Sequence, residues 1–251
     1  MTDNWKDAFP KENRYFETNK GILYCENYTD IVKDFSDGSI DLVLTDPPYG
    51  ISRETNFATM SNRRHRRSMY FGDWDTGIVN WKIIGTLVRE GGSFITFMAF
   101  EQYNNFIKVM EQCDFDIKDR LIWEKTNPFP RNRDRRYIPN IEFIIWAVKK
   151  GAGWTFNRQN PKYETCVFRF PSESGAQFKR FHPTQKPLKL IEYLIKIHSN
   201  EFDLVLDPFI GSGTTAVACE KLNRRWIGIE INPKYCEITK ERICNTQLKL
   251  L

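Results

Sequence analysis

The chain of 251 residues has no C-x-x-C pair among its six cysteines, and its only three histidines, His65, His182 and His198, stand far apart. That spacing argues against a zinc ribbon, a disulfide framework and a helical metal site, so no metal is expected. Apolar runs approaching the roughly 18 residues of a membrane-spanning helix are absent, and no membrane partner is expected. Residues 1–11 are polar and lack the apolar centre of a secretory signal, which makes a reduced, cytoplasmic chain the expectation. Internal repeats and low-complexity tracts are missing too, which sets aside solenoid and linker architectures.

What is present is a mildly basic chain with net charge +5 and 41% hydrophobic residues, enough for one sizeable core. The charge is unevenly spread. Residues 63–67 hold four arginines, Arg63, Arg64, Arg66 and Arg67, and residues 177–189 hold Lys179, Arg180, Lys186 and Lys189 without an acid. Residues 118–136, including Arg131, Arg133, Arg135 and Arg136, carry seven Lys or Arg against three acids. Blocks of this kind suit contact with phosphates, although any one of them alone is as well read as a solvated face.

Short β-branched and aliphatic runs ending in turn residues predict strands at 21–25, 40–45, 92–98, 121–123, 141–148, 203–206 and 226–231. Apolar residues at helical spacing predict helices at 30–35, 81–90, 102–113, 188–200, 214–222 and 233–248. Alternating strand and helix implies an α/β fold with a doubly wound, mostly parallel sheet covered on both faces. The chain reads as a single domain over 1–251, with a long basic loop expected to move at 51–75 and irregular stretches at 126–140 and 157–182.

In such sheets ligands bind beyond the carboxyl ends of strands, and two segments there invite chemistry. The first is Thr45-Asp46-Pro47-Pro48-Tyr49-Gly50. Two prolines remove two backbone donors and fix both φ angles, leaving a rigid corner whose carbonyls accept hydrogen bonds. An amino group donating to Asp46 and to the Pro47 carbonyl would fit, with the Tyr49 ring offering a stacking surface. The second is Asp207-Pro208-Phe209-Ile210-Gly211-Ser212-Gly213-Thr214-Thr215, a strand passing through a glycine turn into a helix. It lacks the lysine of a Walker A loop and the third glycine of a dinucleotide fingerprint, which argues against ATP hydrolysis and NAD binding. The following strand ends in Glu230, about 20 residues on, where a carboxylate can take ribose hydroxyls.

With these residues in view, the chain resembles the amino-methylating DNA methyltransferases of the β order, in which the catalytic tetrapeptide precedes the cofactor loop. Asp46-Pro47-Pro48-Tyr49 is similar to the family's D/N/S-P-P-Y/F tetrapeptide, residues 207–214 to its D-P-F-x-G-S-G-T loop, and His182-Pro183-Thr184-Gln185-Lys186-Pro187 to its H-P-T-Q-K-P segment. The resemblance implies a Rossmann-like fold that binds S-adenosylmethionine, with Asp207, Phe209, Gly211, Ser212, Gly213 and Thr214 lining the cofactor site beside Asp46. It further implies Glu230 at the ribose and Thr184 and Lys186 at the methionine end. The family's Gly-Asp pair after the first strand is replaced here by Glu26-Asn27, a departure from the pattern at the adenine contact.

The reaction so implied is direct methyl transfer from S-adenosylmethionine to the exocyclic amine of a flipped-out base, with Asp46, Pro47, Pro48 and Tyr49 catalytic. Asp at the first tetrapeptide position favours the adenine N6 amine, with the cytosine N4 amine as the alternative. A catalytically idle DNA-binding module and an RNA or protein methyltransferase are the other readings. Target recognition is expected from residues 126–180 with help from 51–75. The expected partner is DNA, duplex or single-stranded, bound through Arg63, Arg64, Arg66, Arg67, Arg131, Arg133, Arg135, Arg136, Lys179 and Arg180. A homodimer and a cognate restriction endonuclease are expected on the resemblance alone.

Overall fold

A computed structural model describes residues 4–48, 79–128, 135, 137–173 and 185–248. Tyr49, the loop 51–75, the arginines at 63–67, Arg131, Arg133, Arg136, Lys179, Arg180 and Thr184 lie outside the described residues.

The strands are β1 Arg14–Glu17, β2 Gly21–Tyr24, β3 Ile40–Thr45, β4 Val88–Met98, β5 Phe115–Lys125, β6 Ile141–Lys149, β7 Val167–Phe170, β8 Leu204–Asp207 and β9 Arg225–Ile229. The helices are α1 Tyr28–Val32, α2 Trp81–Thr86, α3 Tyr103–Gln112, α4 Leu188–His198, α5 Thr214–Lys221 and α6 Pro233–Gln247. The described strands form one sheet in the order β1-β2-β9-β8-β3-β4-β6-β5-β7. From β2 to β4 the neighbours are parallel, and only β1 and β6 run against the rest.

The sheet is covered on both sides, as its central strands require, because β2, β3 and β8 are almost wholly buried. On one face Val43, Phe94 and Ile145 pack with Ile31 of α1, Ile84 of α2 and Phe106 of α3. On the other Leu44, Ile95 and Ile144 pack with Leu194 of α4, Val217 of α5 and Ile243 of α6. The neighbours β3 and β8 therefore lead to helices on opposite faces, which opens a crevice between their carboxyl ends.

Several sequence expectations change. The helix expected over 81–90 ends at Thr86, and Val88–Glu90 joins β4, because Ile40 pairs with Val88 and Arg89 is captured by Asp41 at 2.5 Å. The strand expected at 121–123 runs from Phe115, its polar half held by register with β6. Within residues 126–180, expected to carry target recognition, β6 matches the strand expected at 141–148 and sits between β4 and β5, whereas β7, which pairs with β5, falls in the stretch 157–182 expected to be irregular. β1, not expected from sequence, is a four-residue edge strand joined to β2 through the turn at Thr18–Lys20.

Candidate active site

The two chemical segments meet at the carboxyl edge of adjacent strands. β3 and β8 are paired at Leu42 with Val205 and Val43 with Leu206, which brings Thr45 beside Asp207. The Thr45 hydroxyl donates to Asp207 Oδ1 at 2.8 Å, the Thr215 hydroxyl to Oδ2 at 2.7 Å, and the Phe209 N–H to Oδ1 at 3.2 Å. Asp207 is buried, and burial pushes its carboxyl up to about 6 although all three of these bonds act to lower it. Expected to line the cofactor site, the Asp207 carboxylate is thus engaged within the protein. It fastens the corner at Asp46 to the glycine turn and to the start of α5.

The turn itself is shaped for a ligand. Gly211 has φ +53°, and among the described residues a Cβ there would meet nothing within 4 Å. Gly213 has φ +81° and presses against Thr239, where a Cβ would lie 2.6 Å from a methyl carbon. Gly213 also begins α5 without a side-chain cap, which leaves helix-terminal N–H groups suited to a carboxylate. From α6, the Thr239 hydroxyl donates to the Gly211 carbonyl at 3.0 Å. Arg242 donates to the carbonyl and hydroxyl of Ser212 and, at 3.3 Å, to the Thr214 hydroxyl. The Ser212 hydroxyl donates to Gln185 at 3.4 Å, and Gln185 donates in turn to Glu173. Phe209 packs on Tyr28 with ring centroids 4.8 Å apart.

Glu230 follows β9 at the same edge. Its carboxylate accepts the Gly211 N–H at 3.0 Å and the Asn232 N–H at 2.8 Å, and burial raises its pKa to about 7 against those bonds. Asn27, after β2, caps α1 by accepting the Thr29 N–H at 3.1 Å, and Glu26 precedes it. Asp207, Phe209, Gly211, Ser212, Gly213, Thr214 and Glu230 are therefore one cluster.

Asp46 faces Lys186, which is expected at the methionine end of the cofactor. Lys186 Nζ lies 2.5 Å from Asp46 Oδ2 and 3.2 Å from Glu142 Oε2, and Lys125 Nζ lies 2.7 Å from Glu142 Oε1. The Lys186 side chain is 7% exposed and also lies 4.9 Å from the Phe97 ring centroid. Burial works against its charge, but Asp46 and Glu142 outweigh burial and hold its pKa above the ordinary lysine value. Burial would raise the Glu142 carboxyl, yet Lys186 and Lys125 bring it below the ordinary value. Pro47 is buried, and Pro48 is partly buried.

Sequence reasoning passed over Glu142, Arg242, Glu173 and Thr239. The first stands at the start of a strand and the others lie in ordinary surface-type contexts. Thr45 and Thr215 stand at the ends of the two quoted segments with no role expected for either, and a buried carboxylate's need for donors was the available signal. Of the arginines and lysines expected at DNA, Arg135 is among the described residues and is exposed.

A family model described as DNA methylase matches residues 40–241. The type II methyltransferase M2.MboI of Moraxella bovis is 32% identical, over 94% of this chain and 90% of its own length. The type II methyltransferase M.HpaI of Haemophilus parainfluenzae is 31% identical, over 88% of this chain and 73% of its own. Among solved structures, the M1.HpyAVI–SAM complex superposes with a TM-score of 0.70 at 37% identity, covering 89% of this chain and 98% of that one. The PvuII DNA methyltransferase, named as cytosine-N4-specific, shares the fold with a TM-score of 0.72 at 21% identity, over 93% of this chain and 89% of its own.

Proposed function

Because this chain belongs to the N6/N4 family of DNA methylases, we propose that it transfers a methyl group from S-adenosylmethionine to the N6 amine of adenine in DNA. The observation that supports the reading is the carboxylate of Asp46, held by Lys186 just beyond the end of β3, whose neighbour β8 leads into the glycine turn at Gly211. The residues present suit the cofactor. Gly211 offers close approach without a side chain, the uncapped start of α5 favours its carboxylate, and Glu230 is a carboxylate placed for ribose hydroxyls.

When bound, S-adenosylmethionine would supply an electrophilic methyl on a sulfonium, its S–C bond breaking as the N–C bond forms so that a neutral thioether leaves and the methylated nitrogen gives one proton to water. The protein's part is to make a poor nucleophile reactive and to aim it. An exocyclic amine spreads its lone pair into the base ring. Donating one hydrogen to Asp46 and the other to the Pro47 carbonyl favours a tetrahedral nitrogen whose lone pair faces the methyl, and fixed orientation lowers the barrier further. Neither proline has an N–H to compete for those acceptors. Within a duplex the amine is shielded, so the base is flipped out at a cost of a few kcal/mol, offset by phosphate contacts and stacking, for which Tyr49 is the proposed surface.

The aspartate at position 46 is the residue that favours adenine over the cytosine amine, as the tetrapeptide's resemblance implies. Target recognition by 126–180 and 51–75, phosphate contact by the basic residues named above, a homodimer and a companion restriction endonuclease belong to the same proposal. Digestion of methylated DNA to nucleosides, with identification of the modified one, tests it. N6-methyl-2′-deoxyadenosine is expected, and N4-methyl-2′-deoxycytidine would overturn the choice of base. Asp46→Ala is expected to abolish transfer while leaving S-adenosylmethionine affinity, measured by calorimetry, unchanged; retained activity would refute the role given to Asp46.

A further inference from the structure

Glu142 has no place in any motif of the sequence, yet it is the second acid on the lysine that holds Asp46. β6 runs against β4, so its first residues arrive at the edge where β3 ends. There Asp46, Lys186, Glu142 and Lys125 form a chain of alternating charge with gaps of 2.5, 3.2 and 2.7 Å. The two carboxylates are 25% and 24% exposed and the Lys125 side chain 21%, so water screens the chain only in part.

We propose that Glu142 is a positioning residue for methyl transfer, sharing Lys186 with Asp46 so that Asp46 is held in place without being neutralised. This rests on the reading of Asp46 as the acceptor of the target amine. A lysine committed to Asp46 alone would orient the carboxylate and also compete with an incoming N–H for its lone pairs. Lys186 donates a hydrogen bond to Asp46 and stands 3.2 Å from Glu142 as an ion pair, so part of its charge is balanced by Glu142. The four groups carry no net formal charge. Removing the charge of Glu142 leaves one uncompensated positive charge next to Asp46, where it weakens the acceptor that the amine must use.

Glu142→Gln in the full chain keeps the shape and removes the charge. Its kcat on duplex DNA is expected to fall about tenfold, with the KM for DNA and the calorimetric Kd for S-adenosylmethionine within about twofold of wild type. Adding Lys125→Met returns the group to zero formal charge and is expected to restore most of kcat. Unchanged kcat in Glu142→Gln, a loss confined to KM, or a loss that Lys125→Met does not reverse would overturn the proposal. A variant that no longer binds the cofactor would assign Glu142 to folding and overturn it as well. Asp46→Ala, measured alongside, separates the two readings. If it stays active, the role of Asp46 fails; if it is dead while Glu142→Gln is normal, only the role of Glu142 fails.

Discussion

Alanine at Gly211 and alanine at Gly213 are expected to fail in different ways, although the two positions lie two residues apart in one turn. At Gly211 the backbone is left-handed, with φ +53°, and no described residue lies within 4 Å of an added Cβ. An alanine there costs only the conformational penalty, about 1–2 kcal/mol, which lowers Tm by about 2–8 °C for a domain of this size. In the proposed reading its methyl group would take space meant for S-adenosylmethionine, and one misplaced carbon in a fitted pocket is worth about 1–3 kcal/mol, or roughly 10–200-fold in affinity. At Gly213 the same conformational penalty applies at φ +81°, and the added carbon would also lie 2.6 Å from Thr239 Cγ2 and 2.7 Å from its Oγ1. Overpacking adds about 1–3 kcal/mol, for a total of about 2–5 kcal/mol. Thermal unfolding without ligand and calorimetric titration with S-adenosylmethionine measure both quantities. Gly211→Ala should lose affinity while staying the more stable variant; wild-type affinity in it, or a Tm below that of Gly213→Ala, would refute the assignment of the open space.

The raised pKa of Glu230, about 7, predicts that cofactor binding weakens in acid. In the proposed reading ribose hydroxyls donate to the ionised form, so affinity should be constant above pH 7 and fall by up to about tenfold per unit below it. Calorimetry across this range checks the trend, which Glu230→Gln should flatten; a flat wild-type profile would contradict the contact. Thr45→Val removes one of three donors to the buried Asp207 carboxylate. It is expected to cost about 2 kcal/mol in urea denaturation, and an unchanged midpoint would show that Thr45 does not fasten the two loops.

The most legible parts of the chain were those whose local chemistry and tertiary fate agree. β3 runs from Ile40 to Thr45, as the aliphatic run ending on Asp46-Pro47 predicts, because it is buried at the centre of the sheet. α6 starts at Pro233 behind the capping side chain of Asn232, where helix chemistry places its start. The parts misread are those stabilised from a distance. β7 has only four residues, and β5 gives it its partner. The end of α2 depends on Asp41 binding Arg89, 48 residues away in the chain. No periodicity within a window of ten or fifteen residues records such a pairing.

The site divides along the same line. The order of residue types alone determined the proline corner at Asp46, the glycine turn at 207–214 and the acid at 230. Each is a local device: a ring that removes an N–H, a residue that tolerates positive φ, a carboxylate at a strand end. Only the tertiary structure decided that Asp207 spends its oxygens on Thr45 and Thr215, that Arg242 and Thr239 brace the turn from α6, and that Glu142 shares a lysine with Asp46. These contacts join residues up to 162 positions apart. Buried charges and donors find their partners only once the sheet has brought its strand ends together, and the pairings are dictated by that geometry rather than by spacing along the chain.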